Sequence, residues 1–451
     1  MPIDAIVDFR KVQAFLFESS HLAYIRGASR WLWELNRFLL PELVEKHDGD
    51  PLIKDGGLLL ASFPSMGAAE AFANEARNEC EPHIGVAIAL RERGSSESFP
   101  VARKALLEKL EKAKLGAGHF AALCTNSYIM RCSECGFRAA NKNPATIDVP
   151  ICATCFKKWE HSGRRQFCLE PIENLTELGK LARPQNYLAT VLIDLDHLGR
   201  QMDDFAERGQ DAYVATSNAL ARAFVHAIQV ACLKACQKKR GDRTARFEIC
   251  YVGGDDGMLV LPGDRVFEFV GWFETEFKRR CLRGGIAEAD VPRFSVGFLL
   301  ANSHFPIREA FAISDELCKS AKTLKEGNSV DWAVLTDSMA DRVVERRTHF
   351  KDGVVRTGKP YTTQAFLSLE TGIRALRELG ASTSKLKALY KMSYEAPEVA
   401  RLEYRHLLTR VDRKVRLELK NTVGVDIHEN KDDSTVYTKA PDMVELMDFV
   451  R

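Results

Sequence analysis

The chain has 451 residues, 45% of them hydrophobic and 28% charged, a composition that fits two to four globular domains. Lys and Arg number 64 against 62 Asp and Glu, for a net charge of +2, so nucleic-acid binding finds no global electrostatic support and would need a local patch. The N-terminus has no basic start before an apolar stretch, and no unbroken apolar run reaches about 18 residues, so neither a signal peptide nor a membrane span is expected; the 12 cysteines are then expected as thiols or metal ligands of a cytoplasmic protein rather than as disulfides.

In chain order, Ile6-Val7-Asp8-Phe9 reads as a strand and leads into a long helical segment carrying Trp31, Trp33, Leu35 and Phe38. Asp55-Gly56-Gly57 then precedes the apolar run Leu58 to Phe63, closed by Pro64. A helix, a strand from His83 to Leu90 containing Gly85, and a helix from Phe99-Pro100 to about Ala113-Lys114 complete a first unit. Next come Cys132-x-x-Cys135 and Cys152-x-x-Cys155, separated by sixteen residues. Two such knuckles offer four thiolates for one tetrahedral Zn²⁺, in a structural role because all four positions are filled. The other cysteines show no matching spacing, and Cys232 and Cys236, neighbours on a helix, are expected in a core.

A second unit repeats the parts of the first in the same order. Leu192-Ile193-Asp194-Leu195 is a strand running into a long helix to about residue 240. Tyr251-Val252-Gly253-Gly254-Asp255-Asp256 is followed by the apolar run Gly257 to Leu261, closed by Pro262. A helix, the strand Phe294 to Leu300 containing Gly297, and a helix from Phe305-Pro306 to Ala321-Lys322 follow. Each unit reads β-α-β-β-α-β, with its long helices expected on one face of an antiparallel sheet. Beyond residue 340, Phe366, Leu369, Ile373 and Leu376 recur at helical spacing. Further helices run through Leu386, Leu389, Leu402 and Leu407, and Lys385 to Arg416 is the most basic stretch, either a solvated helical surface or a face for RNA or a partner subunit. Residues 421–440 read as a loop. The fold class expected is α+β: a degenerate first palm (1–118), a four-cysteine zinc-ribbon module with connector (119–186), a catalytic palm of polymerase or nucleotide-cyclase type (187–338) and a C-terminal helical domain (339–451).

The chemistry concentrates in the second unit. Asp194 lies at or near a strand end, and Gly253-Gly254 form a hairpin that presents Asp255 and Asp256. In a ferredoxin-like sheet those two strands are neighbours, so the three carboxylates converge at one sheet end, a hard-oxygen set suited to Mg²⁺ or Mn²⁺. Asp196, two residues on, is expected on the same face as Asp194 as a further ligand candidate and, with Gly253 and Gly254, as part of the nucleotide-binding surface. Ser295 and Lys322 flank the site, the first as a contact to a ribose or base and the second to a phosphate. In the first unit the Gly-Gly pair precedes Leu58-Leu59 instead, so that unit keeps Asp8 but lacks the acidic pair.

This order of parts resembles the large polymerase-like subunit of type III CRISPR effector complexes, the Cas ten family. Val12-Gln13-Ala14-Phe15-Leu16 and Ile25-Arg26-Gly27-Ala28-Ser29 resemble that family's first palm, and Asp194-Leu195-Asp196-His197-Leu198-Gly199 its second. The resemblance implies that ATP is joined into cyclic oligoadenylates when the complex binds target RNA. ATP, other type III subunits, guide RNA and target RNA would be partners, and no membrane. Asp194, Asp255 and Asp256 would hold the divalent metals, and the first palm would supply a second nucleotide pocket across the palm–palm interface. Many members begin with an HD-type nuclease domain; no His-Asp dipeptide precedes the first palm here, so the resemblance is to a form lacking that domain, from which no metal-dependent DNA cleavage is expected. Two other readings stay open, a stand-alone palm-type nucleotide cyclase outside a CRISPR complex and a non-catalytic scaffold subunit; the intact acidic triad speaks against the scaffold.

Overall fold

A computed structural model describes residues 2–54, 58–116, 130–143, 149–163, 169–236, 244–335, 343–348, 354–431, 434–437 and 439–450. The expected glycine pair Gly56-Gly57 lies outside these residues, as do the expected domain boundaries at 118 and 338. The first unit begins with β1 (Ile3–Phe9), the helices α1 (Val12–Leu16) and α2 (Leu22–Glu34), a π-helical turn at Leu35–Leu39 and α3 (Leu40–Lys46). It continues with β2 (Asp50–Ile53), β3 (Leu58–Phe63), α4 (Met66–Cys80), β4 (Val86–Glu92) and α5 (Phe99–Gly116). Its four antiparallel strands are ordered β2-β3-β1-β4.

Between the units stand α6 (Ala153–Ser162) and α7 (Leu175–Leu181). The second unit has β5 (Tyr187–Leu195), α8 (Leu198–Glu207), α9 (Gln210–Cys236), β6 (Glu248–Gly253) and β7 (Asp256–Pro262). Then come α10 (Val266–Arg283), β8 (Phe294–Asn302), α11 (Ile307–Ala321) and β9 (Ser329–Val334). The order β6-β7-β5-β8 repeats that of the first sheet, with β9 added parallel to β8. The repeat extends to backbone detail. Lys11 and His197, each three residues after the strand aspartate, both adopt left-handed φ (52° and 55°) where the next helix begins.

Both faces of the second sheet are covered, not one. Strand alternation sends Ala189, Val191 and Ile193 into one core and Leu188 and Leu192 into another. On the first face α9 packs so closely that a Cβ on Gly257 would lie 2.9 Å from Ile228. On the second face a Cβ on Gly297 would lie 2.2 Å from the Cys318 nitrogen of α11. That second core is shared with the first palm through Ile25, Leu32 and Leu35, so the two palms meet over buried apolar surface. The 27-residue α9 has a mean hydropathy of 1.3 over its most apolar window, long and apolar enough to cross a membrane, although its apolar residues are interspersed with polar ones; 56% of that window is buried inside the protein.

The C-terminal part is not purely helical. After α12 (Val343–Thr348) come β10 (Val354–Val355) and β11 (Tyr361–Thr362), and β11 joins the edge of the second sheet beside β9. The helices α13 (Thr363–Glu378), α14 (Thr383–Met392), α15 (Pro397–Thr409) and α16 (Arg413–Thr422) follow. The expected loop at 421–440 instead contains a hairpin of β12 (His428–Lys431) and β13 (Ser434–Tyr437), with β10 alongside; α17 (Ala440–Leu446) closes the chain. Its polar residues hid a strand pair whose pairing runs through the backbone. Phe366 stacks on Phe267 at 5.1 Å and belongs to the second palm's core, so this part continues that palm.

Candidate active site

Register places the acidic residues together. Asp194 on β5 lies directly across from Asp256 on β7, and Asp256 pairs in turn with Gly253 on β6. The hairpin closes through Gly254 at φ +66°, a conformation that disfavours a side chain, and Leu195 N–H donates to the Asp255 carbonyl at 2.8 Å, tying the turn to β5. Asp255 is exposed at the tip and Asp256 is half-buried behind it. Tyr251 Oη donates to Asp256 Oδ2 at 3.1 Å. Burial, and then the negative charges of Asp255 and Asp194, push the Asp256 carboxyl up to about 7. Burial also raises Asp194, against the pull of Lys322, whose Nζ sits 2.5 Å from Asp194 Oδ1.

The first palm holds a counterpart of that pair. Asp8 meets Lys114 Nζ at 2.8 Å, and Lys114 closes α5 as Lys322 closes α11. Across from Asp8 in register stands Leu58 where the second palm has Asp256. The first palm therefore repeats the strand carboxylate and its lysine but has no carboxylate at the facing position.

Two sequence expectations change in the folded chain. Ser295 has no exposed surface and cannot reach a ribose or base as expected: Asp194 and Ser295 are cross-strand partners, but the serine side chain lies inside the protein. Its hydroxyl donates to Asp196 Oδ1 at 2.8 Å and meets Ser329 Oγ at 2.9 Å. Asp196 is itself buried and bound by this serine, and its N–H donates to the Arg293 carbonyl at 2.8 Å. Both residues brace the end of β5. Lys322 lies at the site as expected, but on a carboxylate.

A cavity of about 360 Å³ opens between the two palms. One wall is Tyr251, Val252, Gly253, Asp255 and Asp256; the other is first-palm residues including Asp8, Lys11, Trp33, Asn36, Arg37 and Lys54. Lys11, Arg37 and Lys54 belong to no motif of the sequence, and Tyr251, though it opens the Gly-Gly-Asp-Asp stretch, is not expected there as a site residue. One signal was available: Ser29, Leu32, Trp33, Asn36 and Arg37 recur at helical spacing and form the cavity-facing stripe of α2 and the π-turn that follows.

The four cysteines converge as spaced. The sulfurs of Cys132, Cys135, Cys152 and Cys155 are buried and lie within 4.8 Å of one another, with Cys135 and Cys152 at 3.9 Å. Tetrahedral zinc with bonds of 2.3 Å sets its sulfurs about 3.8 Å apart, so the set fits that ion. Tyr24 of the first palm packs against the cluster.

Residues 187–331 match the family model described as Cas10/Cmr2, second palm domain. No curated protein sequence matches. Among solved structures, the chain is similar over its whole length to 70% of a Csm1–Csm4 cassette chain in complex with cA4, at TM-score 0.65 and 15% identity. The same cassette in complex with cA3 gives TM-score 0.61 at 17% identity over 70% of that chain. Csm1 of T. onnurineus gives 0.61 at 16% identity over 69% of that chain. Residues 187–331 thus belong to the Cas10/Cmr2 family as its second palm domain, and the chain as a whole has the fold of Csm1, the Cas10 protein of type III CRISPR complexes.

Proposed function

We propose that this chain is a metal-dependent nucleotidyltransferase that joins ATP into cyclic oligoadenylates, as the RNA-activated large subunit of a type III CRISPR complex in the cytoplasm. One observation carries this reading: a single cavity has Gly253, Asp255 and Asp256 of the acidic hairpin in one wall and a basic, partly aromatic face of the other palm as its opposite wall. Polymerising two nucleotides needs both substrates within bonding distance, and a cleft between two related domains supplies that.

The acidic set fits a hard divalent cation. Asp194 and Asp256 are cross-strand neighbours with Asp255 beside them, and burial, followed by the charges of Asp255 and Asp194, raises the Asp256 carboxyl, a grouping of carboxylates that a divalent cation would relieve. Mg²⁺ or Mn²⁺ held by Asp194, Asp255 and Asp256 would supply Lewis-acid stabilisation of charge on the reacting phosphate. Lys11, Arg37 and Lys54 are suited to anionic phosphates, and Trp33 offers a ring face to a base. Lys322 holds Asp194 in place and shields its charge. The four-cysteine set would hold one Zn²⁺, which when bound cross-links the two knuckles.

The ligands named for the similar Csm1–Csm4 structures, cA4, cA3 and ATP, support the same substrate and product class, and their second chain supports a type III subunit as partner. The test is incubation of the protein, alone and with co-purified subunits, guide RNA and target RNA, with each NTP and Mg²⁺ or Mn²⁺. Cyclic oligoadenylates identified by mass, dependent on target RNA, are expected. Product formed equally without RNA or partners would favour a stand-alone cyclase, and no product in any arm would refute the enzyme reading.

A further inference from the structure

Arg26 belongs to the first palm, but its charge partner belongs to the second. Its Nε and Nη2 donate to the two carboxylate oxygens of Glu248, each at 2.8 Å, and Nη2 also donates to the Ile172 carbonyl at 2.8 Å. The two side chains are only 6% and 1% exposed. Burial raises the Glu248 carboxyl even beside this guanidinium, so the fold accepts a costly arrangement here. Replacing such a buried pair by apolar residues is often neutral for stability, and its best-attested use is to set register. The adjacent Gly27 makes a second contact that leaves no room: a Cβ there would lie 1.7 Å from the Lys158 carbonyl of α6. One turn of α2 is therefore pinned to β6 and pressed against the four-cysteine module.

Both pinned elements continue into the cavity walls. Ser29, Leu32 and Trp33 follow Arg26 on the same helix, and Tyr251, Val252 and Gly253 follow Glu248 on the same strand. At about 1.5 Å per helical residue, Ser29 lies about 4.5 Å along the axis from Arg26. At about 3.3 Å per strand residue, Gly253 lies about 16 Å from Glu248. No loop intervenes on either side, and the one irregularity between Glu248 and Gly253 is the β-bulge between Ile249 and Tyr251, inside the hydrogen-bonded ladder with β7.

We propose that Arg26 is a positioning residue for nucleotidyl transfer, its ion pair with Glu248 setting the distance and register between the nucleotide-facing helix of the first palm and the acidic hairpin of the second. The inference rests on the reaction proposed above. It concerns how the two halves of the site are aligned, so groups that hold each nucleotide stay intact when the pair is removed. A misplacement of about 1 Å between reacting groups costs on the order of a hundredfold in rate.

The test replaces the pair as a unit, R26M with E248L, in the full chain with whatever subunits and RNA support turnover. The double variant is expected to melt cooperatively within a few degrees of the wild type. Its kcat is expected to fall about a hundredfold, with KM for ATP within about threefold, and hydrogen exchange at residues 251–257 is expected to speed up while the other strands keep their protection. R26K, which keeps the charge but not the forked geometry, should recover part of the kcat. Wild-type kcat and wild-type hairpin protection in the folded double variant would overturn the proposal, as would a kcat loss that merely tracks a fall in melting temperature. If the wild-type chain itself makes no product, the reaction proposed above fails. The exchange measurement still decides the alignment role: unchanged hairpin protection refutes it, and selective loss there supports it.

Discussion

Asp256→Asn should make the metal-free protein more stable and the enzyme nearly inactive. The Asp256 carboxyl is pushed from 3.8 to about 7 by burial and by its acidic neighbours. The folded chain therefore keeps this proton over a pH range in which the unfolded chain has released it. Stability contributed by the group is complete below about pH 4, falls as pH rises, and reaches its lowest level above about 7. At 1.36 kcal/mol per pH unit the ceiling of the cost is about 4 kcal/mol, which solvent screening of a half-buried side chain reduces to about 1–2 kcal/mol. Asparagine does not titrate and keeps an oxygen to accept from Tyr251, so this cost disappears. In a chelator at pH 8 the variant should melt a few degrees above the wild type, and the two should converge near pH 4. Mn²⁺ should raise the wild-type melting temperature and leave the variant nearly unmoved. Turnover of ATP should fall about a thousandfold, on the order of 4 kcal/mol of transition-state stabilisation. Thermal melts across pH with and without Mn²⁺, paired with chromatography of nucleotide products, make the comparison. A variant that melts lower than the wild type in chelator at pH 8, or that keeps more than about a tenth of its turnover, refutes the reasoning.

Asp194→Ala should also cost about a thousandfold in turnover, because it removes the carboxylate that β5 contributes across from Asp256; Asp8→Ala, whose cross-strand partner is Leu58, should cost no more than about tenfold, and the reverse ranking would put the chemistry in the other palm. Elemental analysis should find one zinc per chain, and Cys152→Ser should lose it together with much of the soluble yield; serine keeps the cap that Cys152 gives to the Cys155 N–H of α6, so a zinc-free variant that folds normally would contradict a structural metal. His83 lies between Trp31 and Thr154 where the first palm meets the four-cysteine module, and burial lowers it from 6.5 to about 4. Its folded form binds the proton less readily, so its stability contribution is complete above about 6.5 and is lost as pH falls toward 4; the loss should be about 1–2 kcal/mol after screening, and His83→Gln should flatten the melting profile over that range.

Much of the architecture was legible because it rests on local signals. Paired apolar strands, Gly-Gly before Asp-Asp, two Phe-Pro helix starts and two Cys-x-x-Cys knuckles are short-range patterns, and their repetition in one order predicted two sheets of the same strand order. The facing positions of Asp8 with Leu58 and Asp194 with Asp256 follow from that order once each hairpin is counted. Short-range pattern misled where pairing is carried by the backbone or where burial decides a role. The polar segment 421–440 looked like a loop because side chains do not announce the hairpin His428–Lys431 with Ser434–Tyr437. Ser295 looked like a ligand contact because it is polar and near the site; inside a sheet covered on both faces it is an internal donor to Asp196.

From the sequence alone came the parts: two palm units, the thiolate module, and one acidic hairpin with its degenerate twin. Only the tertiary structure decided how the parts meet. The cavity between the palms draws its walls from residues 8–54 and 251–256, and Arg26 meets Glu248 across 222 positions. Helical and strand periodicity repeat within a few residues and specify which face of an element is buried. Which distant face covers it is settled by packing, because any apolar stripe of suitable shape satisfies the same pattern until close approaches such as Gly27 against Lys158 admit one partner and exclude the rest.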